Sequence, residues 1–242
     1  MEFSPSQPRA IVTGASSGIG KAVALAFAKS GIDLCLVSRS YDKLTEVAHQ
    51  AQDYGVDVKV VSIDLSEVST VRRKIQEIVQ EWNGIDILIN SAGVGYTNFL
   101  RDTSLTDWQT VLNLNLTSVF ECCMAVLPFM RTQSKGTIIN IASISAHTNF
   151  PQWGTYSISK SALVTLSQCL ALEERGNGIR VTTISPGAVN TPIWDTGTVQ
   201  ADFNRTAMLT PETIAQTVLY TVLLPQSAVI EELIITPSLG NL

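Results

Sequence analysis

The residues best suited to chemistry in this sequence are a tyrosine and a lysine four positions apart, Tyr156 and Lys160. At this spacing two side chains lie on the same face of a helix. A free tyrosine keeps its proton until about pH 10, and a neighbouring ammonium lowers the pKa by favouring the phenolate. We therefore expect Lys160 to lower the pKa of Tyr156 and to prepare it as a proton donor to a carbonyl oxygen. The same spacing occurs on many solvated helices, so the interpretation depends on the rest of the chain.

A glycine-rich turn near the N-terminus predicts a dinucleotide site. The apolar stretch Ala10–Val12 indicates a buried strand, and Lys21–Ala28 is rich in helix formers. Between them, glycines let the backbone approach a pyrophosphate, and the helix N-terminus offers unpaired N–H groups. An ordinary strand-to-helix turn is the less favoured alternative, because strand, turn and helix occur in the order that a dinucleotide site requires. The expected cofactor contacts in this turn are Gly14, Ser16, Ser17, Gly18, Ile19 and Gly20.

Together with three later motifs, this turn resembles the short-chain dehydrogenase/reductase family over essentially the whole chain. Asn90–Gly93 matches the family's Asn-Asn-Ala-Gly element, with Ser91 in place of the usual second asparagine. Pro186–Thr191 matches the loop after the family's sixth strand. The family's catalytic tetrad is matched in identity and order by Asn115, Ser143, Tyr156 and Lys160.

The resemblance implies hydride transfer between a nicotinamide ring and a carbonyl or carbinol carbon. Tyr156 would exchange the proton, Lys160 would also hold the nicotinamide ribose, and Ser143 would hydrogen-bond the carbonyl oxygen. Asn115 would hold a water that relays protons to Lys160, and an asparagine inside a helix fits such a buried polar role. Taken singly, each residue is better explained by packing, capping or solvation, but together, beside a cofactor turn, they favour the catalytic role.

Directly after the second predicted strand, Arg39 indicates a preference for NADP(H). A site for NAD usually has an acidic residue here, whereas this chain has Ser38 followed by Arg39. A guanidinium pairs with a 2′-phosphate, which a carboxylate would repel. The alternative is that Arg39 ends a strand and points to water. By resemblance, further contacts are Asp64 and Leu65 at the adenine, Asn90, Ala92 and Gly93 near the adenosine ribose, and Pro186, Gly187, Val189 and Thr191, the last at the nicotinamide carboxamide.

The elements that must position these residues alternate between strand and helix along the chain, which predicts an α/β fold. We expect a single Rossmann-type domain over residues 1–242. Its doubly wound parallel sheet should have about seven strands. The predicted strands are Arg9–Thr13, Asp33–Ser38, Asp57–Ile63, Ile85–Asn90, Gly136–Ala142, Ile179–Ile184 and Ile230–Thr236. The predicted helices are Ile19–Ser30, Tyr41–Asp53, Val68–Trp82, Asp107–Arg131, Tyr156–Arg175 and Pro211–Leu223, with a further helix within Pro192–Arg205. Thr106 and Thr210 are expected N-caps, and Gly31, Gly55, Gly84 and Gly176 are expected helix ends.

Loops after the strands predict the substrate pocket, since ligands bind at the carboxyl ends of parallel strands. The expected mobile segments are Gly93–Thr103, Ser145–Gly154 and Ala188–Thr210, the last a candidate lid. The expected lining is Val94, Tyr96, His147, Phe150, Trp153, Val189 and Trp194. With no pair of basic residues that demands an anion, we expect a small or medium carbonyl compound. A 3-oxo or 3-hydroxy acid derivative is the leading candidate, because Glu231–Pro237 resembles the ending of 3-hydroxy acid dehydrogenases.

Two alternative functions remain open. One is a 3-oxoacyl-(acyl-carrier-protein) reductase, for which Lys135 and Arg175 would form the docking patch. The other is a non-catalytic NADP-sensing regulator, although regulators in this family often lose the tyrosine or the lysine.

Composition narrows the classes of molecule that this protein is expected to bind. The net charge of −5 argues against nucleic acid and anionic membranes. Two histidines and four cysteines (Cys35, Cys122, Cys123 and Cys169) show no metal-ligand spacing and predict buried reduced thiols, no metal site and a cytoplasmic location. Met1–Pro8 lacks the features of a signal peptide, and no apolar run is expected to reach the length of a membrane span. Apolar residues on two long helices predict a homotetramer, with a homodimer second: Val111, Leu112, Val119, Leu163, Leu166, Leu170 and Leu172.

Overall fold

The computed structural model describes residues 7–201, 204–238 and 240. Most of Met1–Pro8, and two positions of the stretch Pro192–Arg205 in which a helix is predicted, lie outside these ranges. The described chain forms a seven-stranded sheet in the order β3-β2-β1-β4-β5-β6-β7, with every neighbouring pair parallel. The strands are β1 Arg9–Thr13, β2 Asp33–Ser38, β3 Val58–Ser62, β4 Ile87–Asn90, β5 Gly136–Ile141, β6 Ile179–Pro186 and β7 Glu232–Ile235. The predicted doubly wound α/β fold is confirmed.

Helices cover both faces of the sheet and create two cores. The helices are α1 Gly18–Lys29, α2 Tyr41–Gln52, α3 Val68–Trp82, α4 Leu105–Leu112, α5 Ser118–Gln133, α6 Gly154–Glu174 and α7 Pro211–Leu223. Alternate residues of one strand serve opposite cores: Ala10 and Val12 face α1, α2 and α7, whereas Ile11 faces α3, α5 and α6. This explains why the strands are almost continuously apolar rather than alternating.

Two local predictions are wrong. Helix α4 is capped by Ser104, whose hydroxyl accepts from the Asp107 backbone N–H, and not by Thr106. The helix predicted within Pro192–Arg205 is limited to short 3₁₀ turns at Pro192–Asp195 and Arg205–Ala207. Helix α6 ends at Glu174, close to the expected Gly176, and a 3₁₀ turn at Arg175–Asn177 follows it.

The helix predicted at Asp107–Arg131 is interrupted by a π turn, Asn113–Thr117, between α4 and α5. In the described part of the chain, the whole stretch Leu105–Gln133 is long and apolar enough to span a membrane by length and composition, with a mean hydropathy of 1.5 in its best window. The expectation that no segment meets this criterion is therefore wrong. Half of that window is buried inside the fold, which is also typical of a core helix.

The apolar residues assigned to an oligomer surface serve mainly the core. Val111, Val119, Leu163 and Leu170 are at most 4% exposed in the single chain. Leu172, by contrast, is 69% exposed on α6. The surface argument for assembly therefore depends on a smaller set of side chains than the sequence suggests.

Candidate active site

A cleft of about 560 Å³ opens at the carboxyl ends of β1 and β4, where the strand order reverses. It brings together most of the predicted cofactor residues: Gly14, Ser16, Ser17, Gly18, Ile19, Gly20, Ser38, Arg39, Asp64, Leu65, Ala92, Gly93 and Thr191. Such a switch point is the place where open α/β sheets bind nucleotides.

The glycine turn is compact because a side chain at either of two glycines would collide with protein backbone. Gly14 has φ +68°, and a Cβ there would lie 2.8 Å from the Ala92 backbone nitrogen. A Cβ on Gly20 would lie 2.4 Å from the Gly14 carbonyl oxygen. Ser17, the N-cap of α1, makes no side-chain capping bond, so the first N–H groups of the helix are not capped by that side chain. These donors and the compact turn fit a dinucleotide pyrophosphate.

The end of the cleft that is predicted to receive the adenosine is basic and polar. Arg39 lies on its wall with Ser38 and Lys43, a residue that the sequence analysis missed. Its signal was a lysine in the first turn of the helix that follows the second strand. Although burial opposes it, hydrogen bonds from Ser66 and the nearby charge of Arg39 hold the pKa of Asp64 below its usual value.

Asn90 does not face this cleft. Its side chain is buried, and Nδ2 donates to Asn140 Oδ1 at 2.9 Å. Asn140 Nδ2 in turn donates to Ser167 Oγ at 2.8 Å, which ties β4, β5 and α6 together. β4 therefore directs the Asn90 side chain into the core, so that a contact of Asn90 with the ribose would have to come from its backbone. The following residues Ala92 and Gly93 do reach the cleft.

Tyr156 and Ser143 lie in the wall of a second cavity, of about 440 Å³, that adjoins the first. Ser143 is the N-cap of a 3₁₀ turn and accepts a hydrogen bond from the Ser145 backbone N–H at 3.1 Å. Tyr156 is 8% exposed and forms an edge-to-face contact with Trp153 at a centroid distance of 5.4 Å. The loop after β5 carries Ser143 and the start of α6 carries Tyr156, so the two hydroxyl groups face the same cavity.

Lys160 is buried behind Tyr156. Its Nζ lies 5.8 Å from the centroid of the tyrosine ring and donates to the Ile141 carbonyl oxygen at 2.9 Å. A Cβ on Gly93 would lie 3.6 Å from Nζ and 3.2 Å from Asn115 Oδ1, so glycine leaves room for both groups. The lysine therefore lies between the cleft, the tyrosine and the end of β5.

The π turn positions Asn115, which is fully buried. Its Oδ1 accepts from the Val94 backbone N–H at 2.8 Å. Its Nδ2 donates to the Val94 carbonyl oxygen at 3.0 Å and to Ser159 Oγ at 3.1 Å. Local widening of a helix by a π turn is frequent at functional sites. Here it lets one amide hold the loop that follows β4.

Burial sets the pKa values of both ionisable groups. It lowers the pKa of Lys160 from 10.5 to about 8. It raises the pKa of Tyr156, and hydrogen bonding with Ser143 opposes this only in part. The expected lowering of the Tyr156 pKa by Lys160 is therefore wrong in this structure. At this buried position, loss of hydration outweighs the hydrogen bond with Ser143, so the raised pKa keeps the proton on Tyr156 at neutral pH.

The second cavity confirms part of the predicted lining. Phe150, Trp153, Val189 and Trp194 line it, as do the predicted cofactor residues Pro186 and Gly187. The other three predicted residues lie elsewhere. Val94 lines the dinucleotide cleft, and buried Tyr96 hydrogen-bonds Asp107 Oδ2 at 3.3 Å. His147 Nε2 lies 2.9 Å from Glu232 Oε1 and 3.1 Å from Ser185 Oγ.

Loops above the cavity are held together by hydrogen bonds. Thr198 joins the segment after β4, since its carbonyl oxygen accepts from the Thr97 N–H at 2.9 Å and its hydroxyl donates to the Gly95 carbonyl oxygen at 2.7 Å. Arg205 was also missed by the sequence analysis. Its guanidinium donates to the Thr191 carbonyl oxygen at 2.9 Å and pairs with Asp195 at 3.0 Å. It thereby fixes the loop that carries Thr191 to the cleft.

Within the described ranges, no cluster of three or more His, Cys, Asp or Glu residues could hold a metal ion. Cys35, Cys122 and Cys123 are buried, but Cys169 is exposed, so the prediction of four buried thiols is wrong at that position. Burial raises the pKa values of Cys35 and Cys123 to about 12. These thiols are therefore poor nucleophiles.

The sequence matches the family of short chain dehydrogenases over residues 8–201. An uncharacterized oxidoreductase of Staphylococcus aureus (strain MRSA252) is 38% identical over 231 residues, which cover 94% of this chain and 96% of that protein. An alcohol dehydrogenase from the archaeon Thermococcus sibiricus, complexed with 5-hydroxy-NADP, has a TM-score of 0.88 at 27% identity and covers 98% of this chain and 99% of its own. An acetoin dehydrogenase from Salmonella typhimurium has a TM-score of 0.87 at 29% identity, with 97% of each chain covered. The similarity extends over nearly the whole chain.

Proposed function

Because the chain belongs to the short-chain dehydrogenase family, we propose that it is an NADP(H)-dependent oxidoreductase that interconverts a carbonyl compound and its secondary alcohol. Proteins of this family use a nicotinamide cofactor, and similar structures include an NADP-type complex. The observation that carries the proposal is the placement of Ser143 and Tyr156 in one cavity, beside the dinucleotide cleft and in front of Lys160. We propose a small or medium carbonyl substrate, with 3-oxo and 3-hydroxy acid derivatives as the leading class.

The chain itself manages the proton and the substrate oxygen. When bound, the cofactor supplies the hydride for reduction or accepts it in oxidation. The carbonyl oxygen lies between the Ser143 and Tyr156 hydroxyls, and Ser143 stabilises the negative charge that develops there. Tyr156 transfers its proton to that oxygen, so that the carbonyl becomes an alcohol. A raised pKa keeps this proton on the tyrosine until the oxygen becomes basic.

Lys160 and Asn115 return the proton. The ammonium of Lys160 faces the tyrosine ring and, with its pKa lowered to about 8, releases a proton more readily than a solvated lysine. Asn115 holds the Val94 backbone with both ends of its amide. An amide oxygen has two lone pairs, so Oδ1 retains one for a water on the path to Lys160.

The decisive experiment is a panel of carbonyl compounds tested for NADPH oxidation, followed by absorbance. The proposal requires oxidation that depends on the carbonyl compound. Cofactor binding without any such turnover, across ketones, 3-oxo esters and aldehydes, would instead favour the non-catalytic NADP-sensing regulator.

Cofactor choice should depend on Arg39. We expect Arg39→Asp to weaken the binding of NADPH and to improve the binding of NADH, because a carboxylate would repel the 2′-phosphate that the guanidinium binds. A charge-assisted bond contributes roughly 1.5–3 kcal/mol, so the ratio of kcat/KM for NADPH over NADH should fall by more than about tenfold. Asp in place of Ser38 should act in the same direction.

The matched control is Arg73→Asp, which makes the same charge change at an exposed site that pairs with Glu77. It should leave the cofactor ratio unchanged. Equal use of NADH and NADPH by the wild-type protein would contradict the assignment of Arg39.

We also propose that the protein is a cytoplasmic homotetramer, with a homodimer second. Support comes from apolar side chains exposed on neighbouring helices: Phe120 on α5 and Ile158 and Leu172 on α6. Leu172→Arg should shift sedimentation toward smaller species, whereas Tyr54→Arg, at an exposed position after α2, should not. A wild-type monomer at every concentration would refute this proposal.

Carrier-protein docking is not favoured by the surface. Lys135 Nζ lies 3.4 Å from Asp86 Oδ1, and Arg175 pairs with Glu231 at 2.9 Å. An acidic carrier would have to displace both carboxylates. The 3-oxoacyl-(acyl-carrier-protein) reductase therefore remains the second candidate function. It would become the first if kcat/KM for a carrier-linked acyl group exceeded that for the free ester by about a hundredfold.

A further inference from the structure

We propose that the substrate cavity selects neutral carbonyl compounds with an apolar, and preferably aromatic, group near the carbonyl, and that it discriminates against free carboxylic acids. The inference rests on the proposed carbonyl chemistry at Ser143 and Tyr156 and narrows the substrate class of that site. Its specificity-determining residues are Trp153 and Trp194.

The first observation is the chemical character of the lining. The residues that line the cavity, all within the described part of the chain, include no aspartate, glutamate, lysine, arginine or histidine. Its side-chain polar groups are the hydroxyls of Ser143, Ser145, Tyr156 and Thr191 and the indole N–H groups of Trp153 and Trp194. Hydroxyls suit a carbonyl or an ester oxygen, but they provide no counter-ion for a carboxylate.

The second observation is an aromatic wall beside the reacting centre. Trp153 contacts Tyr156 edge to face on one side and Trp194 on the other, at centroid distances of 5.4 and 5.8 Å. The Trp194 indole N–H donates to the Val189 carbonyl oxygen at 2.7 Å, which fixes the ring. A further aromatic ring would pack against these two in the same preferred edge-to-face or offset arrangement. The wall is therefore shaped to receive a flat apolar substituent next to the proton donor.

The third observation is that the basic side chains near the cavity already have partners. Arg205 pairs with Asp195 and donates to the Thr191 carbonyl oxygen. His147 lies against Glu232, and Lys160 is buried with its Nζ on a backbone carbonyl. A carboxylate in the cavity would lose its hydration without gaining a free cation, which is strongly unfavourable.

The fourth observation is size. A cavity of about 440 Å³ lies at the lower end of the usual range of roughly 300–1,000 Å³ for ligand pockets. Ile19 and Thr191 line both the cavity and the dinucleotide cleft, so part of the space is shared with the cofactor. The cavity therefore suits an ester or aryl ketone of moderate size. Among 3-oxo acid derivatives, the esters fit and the free acids do not.

Three probes with one 3-oxo skeleton test this inference: acetoacetate, ethyl acetoacetate and ethyl benzoylacetate. We expect kcat/KM for acetoacetate to be about a hundredfold or more below that for ethyl acetoacetate, because only the acid brings an unpaired charge. We expect ethyl benzoylacetate to be the best of the three. Trp194→Leu should lower kcat/KM for the aryl ester about tenfold more than for ethyl acetoacetate.

Trp108→Leu is the matched control, since it removes a tryptophan of α4 that does not line the cavity. It should leave the ratio between the two esters unchanged. A ratio that changes equally in both variants would overturn the role of Trp194.

Binding measured without turnover separates this inference from the proposed function. Titration calorimetry with excess oxidised cofactor reports ester and acid affinity when no reduction is possible. Equal binding and turnover of acetoacetate and its ester would overturn the selectivity and leave the proposed chemistry intact. Tight binding of ethyl benzoylacetate that is weakened by Trp194→Leu, with no reduction of any carbonyl, would support the selectivity and refute the chemistry.

Discussion

Tyr156→Phe should abolish turnover while the cofactor still binds. The phenyl ring keeps the edge-to-face contact with Trp153 and the burial of the tyrosine, so the cavity wall is preserved. The substitution removes the only hydroxyl that we assign to proton transfer. Loss of a general acid reduces the rate on the order of a hundredfold or more. Steady-state kinetics with NADPH and a fluorescence titration of cofactor binding would measure the two effects separately.

Tyr96→Phe is the matched control for this experiment. Tyr96 is also nearly buried, and its hydroxyl is also hydrogen-bonded, but to Asp107 outside the cavity. Losing that hydroxyl should leave turnover essentially unchanged. Turnover of Tyr156→Phe within a few-fold of wild type would remove Tyr156 from the mechanism, whatever its position in the cavity.

The fold was accessible from the sequence because local patterns determine it. Continuous apolar runs such as Ala10–Val12, alternating along the chain with helical segments, favour a parallel sheet covered by helices on both faces, and the structure has that arrangement. The glycine turn was likewise predictable, since strand, glycines and helix are contiguous. Element order and residue type were therefore sufficient to bring Gly14, Gly18 and Gly20 to the cleft.

Features that depend on three-dimensional environment were not accessible. The spacing of Tyr156 and Lys160 places them on one helix face, but it does not show that both are buried, and burial reverses the expected pKa shift of the tyrosine. The side chain of Asn90 looks like a ligand contact in sequence and turns out to bridge two strands to a helix. Arg205 hydrogen-bonds Thr191 and pairs with Asp195, although these residues lie ten or more positions away along an irregular loop. No local pattern encodes such contacts.

Lys160→Met should have two opposite effects: it should strongly reduce turnover and stabilise the cofactor-free protein. The buried ammonium has one backbone acceptor in the Ile141 carbonyl, and burial lowers the pKa of Lys160 from 10.5 to about 8. At about 1.4 kcal/mol per pKa unit, holding this charge at neutral pH costs roughly 3 kcal/mol. Losing this charge-assisted hydrogen bond to Ile141 offsets roughly 1.5–3 kcal/mol of that cost. We therefore expect a net gain of up to about 1.5 kcal/mol, or a few degrees in Tm.

The pH dependence identifies the cause of that gain. Between pH 8 and 10.5 the unfolded chain keeps the Lys160 proton while the folded chain has released it, so wild-type stability rises with pH relative to the variant. The advantage of Lys160→Met should therefore be complete below pH 8 and shrink toward pH 10.5. Lys135→Met, which removes an exposed lysine paired with Asp86, should show no such trend. A variant that is less stable than wild type throughout the range below pH 8 would show that Lys160 supports the fold, and that its burial carries no stability cost in return for function.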